Sequence, residues 1–149
     1  MTIVARGRSK MVHVTDDGVF DAPVEKVWKY INDQNGHAHS AIKFTKVLEQ
    51  SDKGMTAELE VKNPDGSSHM ETWKFTMNPP KSHVTDVLAG PMKGSKYTHT
   101  YTPMGSKTKV EVDGEFHAQG MDDAATKKAV LAMFEMVFNE DSSNLKNYK

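Results

Sequence analysis

MDDAATKKAVLAMFEMVFNEDSSNLKNYK, residues 121–149, places Val130, Met133, Phe134, Val137 and Phe138 on one broad helical face. Asp122 suits the cap of that helix, and Asp123 suits the positive end of its dipole. An apolar stripe of this width needs a surface to lie on. The remainder of the chain offers one large surface, a sheet built from alternating strands.

From Ile42 onward the apolar period drops to two, in short runs divided by turn residues, which predicts an antiparallel meander. In MTAELEVK (55–62), Ala57, Leu59 and Val61 share a face, and NPDG at 63–66 is a strong turn. Across that turn, HMETWKFTM (69–77) sets His69, Glu71, Trp73, Phe75 and Met77 on one face, with the aromatic face expected to point inward. KYTHTYT (96–102) sets Tyr97, His99 and Tyr101 together, and KVEVDGEFH (109–117) does the same for Val110, Val112, Gly114 and Phe116. SHVTDVLA (82–89) reads as a strand whose alternation does not choose a buried face. GPMKGSK (90–96) has the glycines and lysine of a phosphate loop, but it lacks the GxxxxGK[ST] spacing and a following helix, so it reads as a strand connection.

Upstream, DAPVEKVWKYIND (21–33) opens with Pro23, tolerated in a first helical turn, and repeats Val24, Val27, Trp28 and Ile31 on one face. Asn35 and Gly36 end this short helix. A first strand, the DAPVEKVW helix, a meander of about six strands and a long terminal helix together resemble the START-like superfamily, also called SRPBCC. That group includes the birch-pollen allergens and the polyketide cyclases. The resemblance runs from about residue 11 to 148 and rests on element order plus Ala22, Pro23, Val24, Glu25, Val27 and Trp28. It implies an α+β helix-grip fold: a curved antiparallel sheet wrapped around the C-terminal helix, with short helices after the first strand. A cavity between sheet and helix, holding a small apolar or amphipathic molecule, follows from the same resemblance. The chain departs from many relatives in having NGHAHSA in place of an aromatic-rich segment after the first helix.

At 149 residues the chain fits one domain, with 1–10 expected as an N-terminal extension and 11–149 as the ligand-binding domain. A formal charge of −1 from 19 basic and 20 acidic residues gives no electrostatic footprint for nucleic acid. The absence of cysteine excludes disulfides, thiolate nucleophiles and Cys-based zinc sites. No run approaches the ~20 apolar residues that span a bilayer, and no signal-peptide core follows the basic N-terminus, so a cytoplasmic protein that is not an integral membrane protein is expected.

The polar groups on the expected inner face carry the functional reading. His69, Glu71 and His99 sit among Trp73, Phe75, Tyr97 and Tyr101; with Phe134 and Phe138 from the long helix and His39 from the NGHAHSA segment, these are the candidate ligand-binding residues. Buried polar groups need partners, so these should pair with one another, with water or with a ligand. An alternative places His69 and Glu71 at the solvated rim of the sheet. In a helix His37 and His39 point about 200° apart, whereas in an extended segment they project together. Either one with His69, Glu71 and His99 has the chemistry of a zinc site but none of its compact spacings, so no metal and no cofactor is expected. Three functions remain: carriage of an apolar or amphipathic ligand, a cyclase- or dehydratase-like reaction using a pocket His or Glu as general acid or base, and a co-chaperone-like interaction module. The Thr-, Lys- and Glu-rich outer face has no apolar patch, which disfavours the last.

Overall fold

The computed structural model describes residues 11–33, 41–63 and 65–148. The elements run β1 (Val12–Phe20), α1 (Val24–Ile31), β2 (Ile42–Ser51), β3 (Gly54–Lys62), β4 (Ser68–Asn78), β5 (Ser82–Ala89), β6 (Lys96–Met104), β7 (Lys107–Phe116) and α2 (Asp123–Asn147). Six strands follow α1, as the alternating runs predict. They pair antiparallel with β1 in one sheet of order β1-β7-β6-β5-β4-β3-β2, so β1 and β2 are the edges. One short helix follows β1 among the described residues, and any further helix expected at 34–40 lies outside them.

The inner face is the one the alternation foretells. Ala57, Leu59, Trp73, Tyr97, Tyr101, Val110, Val112 and Phe116 are all buried. For β5 the structure settles the open choice of frame: Thr85 and Val87 are buried, and His83 lies in line with them. Asp86 takes the outer face, where it meets Lys96.

Asp122 caps α2 by accepting from the Ala125 amide at 2.8 Å, as its position suggests. The helix packs chiefly on β1 and, less, on β7. Close approach to β1 depends on Gly18, because a Cβ there would lie 2.6 Å from the Phe138 ring. Phe138 instead stacks on Phe20 with centroids 4.8 Å apart. Because the helix leans toward this side, its apolar stripe divides. Val130 and Phe134 are fully packed, whereas Met133, Val137 and Phe138 are only partly buried and face an open space over β3–β6.

Two core clusters contribute to the walls of this space. Val14, Leu59, Trp73, Phe116 and Val130 belong to one; Phe20, Val24, Val27, Tyr101, Val110 and Leu145 belong to the other. The second is locked by α1, whose Trp28 indole donates to the Pro80 carbonyl at 2.7 Å. Thr108, fully buried, donates to the Ala22 carbonyl at 2.8 Å and fixes the chain entering that helix.

Candidate ligand cavity

The space between sheet and α2 is a cavity of about 900 Å³. Seven of the residues expected from sequence line it: Trp73, Phe75, Tyr97, His99, Tyr101, Phe134 and Phe138. Strand alternation presents the first five on one face, and helical periodicity turns the last two toward them. Gly114 makes room for this arrangement. On β7 it lies opposite Tyr97, and a Cβ at that position would come within 2.3 Å of the Tyr97 Cβ.

His69 and Glu71 are not among the described residues of the cavity wall, and their surroundings explain why. Glu71 is 4% exposed, so the solvated-rim reading fails for it. Its Oε2 is held by His69 Nε2 at 2.5 Å, and its Oε1 accepts from Trp73 Nε1 at 2.7 Å. His69 Nδ1 lies 2.7 Å from Asn63 Oδ1. Each carboxyl oxygen therefore has a partner within the chain, and of the three linked residues Trp73 is the one that lines the cavity. His39, like His37, lies outside the described residues.

A second polar cluster faces the cavity directly. The His83 and His99 rings stack with centroids 4.6 Å apart and planes 21° apart, as the β5–β6 register sets these residues side by side. His83 Nε2 and the Tyr101 hydroxyl are 2.9 Å apart. Burial pushes the Tyr101 phenol well above its ordinary range, with the Asp141 charge acting in the same direction. Tyr97 is also pushed up by burial, partly offset by a hydrogen bond with Thr85. Both phenols are thus held neutral and serve as hydrogen-bonding groups rather than charges.

At the far wall, Tyr30 donates to Asp141 Oδ1 at 2.6 Å and accepts from Asn144 Nδ2 at 3.1 Å, joining α1 to α2. Its phenol is raised by burial first and by the Asp141 hydrogen bond second. Sequence reading missed His83, Thr85, Tyr30 and Asp141, all of which line the cavity. For the first two the signal was present: pairing SHVTDVLA against KYTHTYT puts His83 beside His99. Nothing local marks Tyr30 or Asp141, whose roles depend on where two distant helices cross. Among the described residues no group of three His, Asp or Glu side chains is arranged to hold a metal ion. His69 and His99, which a zinc site would have to share, are taken up in separate networks.

A curved antiparallel sheet gripping a long helix over a largely apolar cavity is the helix-grip architecture of START-like proteins. The chain belongs to the family described as polyketide cyclase / dehydrase and lipid transport, whose family model matches residues 11–148. Among solved structures, a START superfamily protein from Mycobacterium smegmatis superposes with a TM-score of 0.78 at 15% identity, covering 93% of this chain and 99% of that one. The Zhui aromatase/cyclase from Streptomyces sp. R1128 gives 0.72 at 15% identity, covering 91% and 92%. Ara h 8.0201 gives 0.71 at 12% identity, covering 93% and 99%. At these identities the likeness is one of fold. No curated protein sequence matches the chain. Among the described residues no helix is long and apolar enough to cross a membrane.

Proposed function

We propose that the chain binds and carries a small apolar or amphipathic molecule in the cavity between its sheet and α2. The observation that carries this reading is the cavity itself: about 900 Å³, walled by Trp73, Phe75, Tyr97, Phe134 and Phe138, with His83, His99 and Tyr101 forming one polar cluster on its sheet side and Tyr30 and Asp141 a second at the helices. That volume falls in the range of pockets for drug-sized organic molecules, and few convergent polar groups in an apolar wall orient such a ligand without reacting with it. The family description, which includes lipid transport, is consistent with this. The test is native mass spectrometry of the protein purified from its own host, followed by titration with 8-anilino-1-naphthalenesulfonate. A retained organic molecule that the dye displaces, with quenching of Trp73, is the expected result. Protein that carries nothing and gives no response to any apolar probe would overturn the reading.

The hydrogen bond between His83 and Tyr101 supports a second reading, a cyclase- or dehydratase-like reaction. An imidazole next to a neutral phenol can take a proton from a carbon beside a carbonyl while the hydroxyl donates a hydrogen bond to the developing oxyanion. Exchange of deuterium from solvent into the retained molecule, abolished in His83→Gln, would place catalysis ahead of carriage.

A further inference from the structure

Among the described residues β2 is an edge strand, and every residue from Lys43 to Ser51 is exposed. Phe44, Val47 and Leu48 keep 47%, 44% and 46% of their surface in solvent, three exposed apolar residues within five positions of one strand. Such an edge invites another strand, and proteins blunt it with lysines and bulges. β2 has both, but their spacing does more than repel.

Its pairing with β3 skips a residue between Phe44 and Lys46 and again between Val47 and Glu49. With Thr45 and Leu48 bulged out, Lys46, Val47 and Glu49 occupy three consecutive sheet positions, opposite Glu58, Ala57 and Thr56. Counted in those positions, Lys46 and Glu49 are equidistant from Val47, and Phe44 and Gln50 are the next pair outward. A two-fold axis normal to the sheet, passing beside Val47 and between the strands, would run β2 antiparallel to β2 of a second copy. Lys46 then lies opposite Glu49 of the second copy, and Glu49 opposite its Lys46. Moving the axis to Lys46 sets Lys46 against Lys46, though it also brings Glu49 opposite Lys43, and moving it to Glu49 sets Glu49 against Glu49; of the three registers, the one centred on Val47 is free of like-charge contact. Among the described residues neither Lys46 nor Glu49 has an ion-pair partner within the chain.

We propose that β2 is the contact of a two-fold homodimer in which the two sheets join edge to edge. Phe44 and Val47 also line the cavity. In this pairing each is met by Gln50 or Val47 of the second copy, so the second copy helps to form the rim of the ligand site. The proposal stands apart from what the cavity holds.

Sedimentation velocity on the full chain tests it. Wild type should show a concentration-dependent dimer that weakens as salt rises. Lys46→Glu and Glu49→Lys should each weaken dimerisation by about tenfold or more, since each sets like charges opposite one another at two symmetric places. Mixing the two variants should restore association to within about threefold of wild type, because one brings two acids and the other two bases to the shared register. The double variant K46E/E49K should restore it as well. Neither residue lines the cavity or the core, so the far-ultraviolet spectrum and the urea midpoint serve as controls for folding. A wild type that stays monomeric, a dimer unaffected by both substitutions, or a mixture no tighter than its components overturns the proposal.

Discussion

His69 on β4 and His83 on β5 are neighbours in the sheet order, yet they belong to opposite kinds of polar cluster. His69 finds its partners along its own strand and the turn before it: Glu71 two residues on, and Asn63. Residues two apart on a strand point the same way, so such a chain closes on itself and is satisfied without a ligand. His83 finds Tyr101 and His99 across the strand pairing, and that cluster faces the cavity. The first cluster should therefore contribute to stability, and the second to recognition. A buried polar group is a functional candidate when its surroundings open onto a space that a ligand can fill, and burial alone does not make it one.

The sharpest way to break this contrast is Glu71→Ala. It leaves the Trp73 indole N–H and the inner nitrogen of His69 without their acceptor, and should cost about 3 kcal/mol in urea denaturation. Glu71→Gln keeps one acceptor and should cost less. A loss under about 1 kcal/mol for the alanine variant would mean that water enters and replaces the carboxyl, and the cluster would no longer count as closed.

Alkaline titration tests the cavity side of the comparison. Tyr97 and Tyr101 have folded-state pKa values raised above the ordinary value of 10.0 by burial. Below that pH both states hold the proton and stability is unaffected. Above it the unfolded chain releases protons that the folded chain keeps. Stability should then fall by about 1.4 kcal/mol per pH unit for each phenol, or about 2.7 for the two. Tyr97→Phe should halve their joint share of the slope. An unchanged slope would show that solvent reaches the phenols in the folded state.

Gly114→Ala should have a somewhat smaller effect. The added methyl meets the Tyr97 Cβ and the Lys96 carbonyl, both backbone-anchored, so the strands must shift at a cost of about 2 kcal/mol. Tyr97 would be pushed toward α2, and dye affinity should change along with stability. A loss of stability with unaltered dye affinity would mean that the strain spreads along β7 without reaching the wall.

How much of this was legible beforehand depends on the range of the interactions involved. Strand alternation and the stripe of α2 are local, and they gave the fold and the seven wall residues from β4, β6 and α2. The alternation puts Glu71 on the inner face, but a sequence does not state whether neighbouring side chains already satisfy one another, and the His69–Glu71–Trp73 contacts appear only in the structure. His83 was missed because SHVTDVLA alternates weakly, and its frame is set by pairing with β6. Asp141 follows three residues after Phe138, yet its approach to Tyr30 depends on how α2 crosses α1, which no local pattern encodes. The bulges in β2 are likewise visible only once β3 supplies a ruler.

The smallest stability change is expected where the ligand effect is largest. His99 stacks on His83 and approaches Tyr97, Tyr101 and Phe134, all around the cavity. In His99→Gln a side chain of smaller volume and similar polarity borders an existing space, so no new sealed void forms and the loss should stay under about 1 kcal/mol. The ring surface it offers a ligand disappears, however, and the orientation of His83 against Tyr101 loses its support. Affinity for the retained molecule should fall by about tenfold, the effect of losing roughly one good hydrogen bond or ring contact. Measured beside Glu71→Ala, the pair of variants should cross over: one loses stability and keeps affinity per folded molecule, the other does the reverse. If both variants lose stability and affinity in proportion, the two histidine clusters form a single cooperative core, and the division between a structural and a ligand-facing cluster fails.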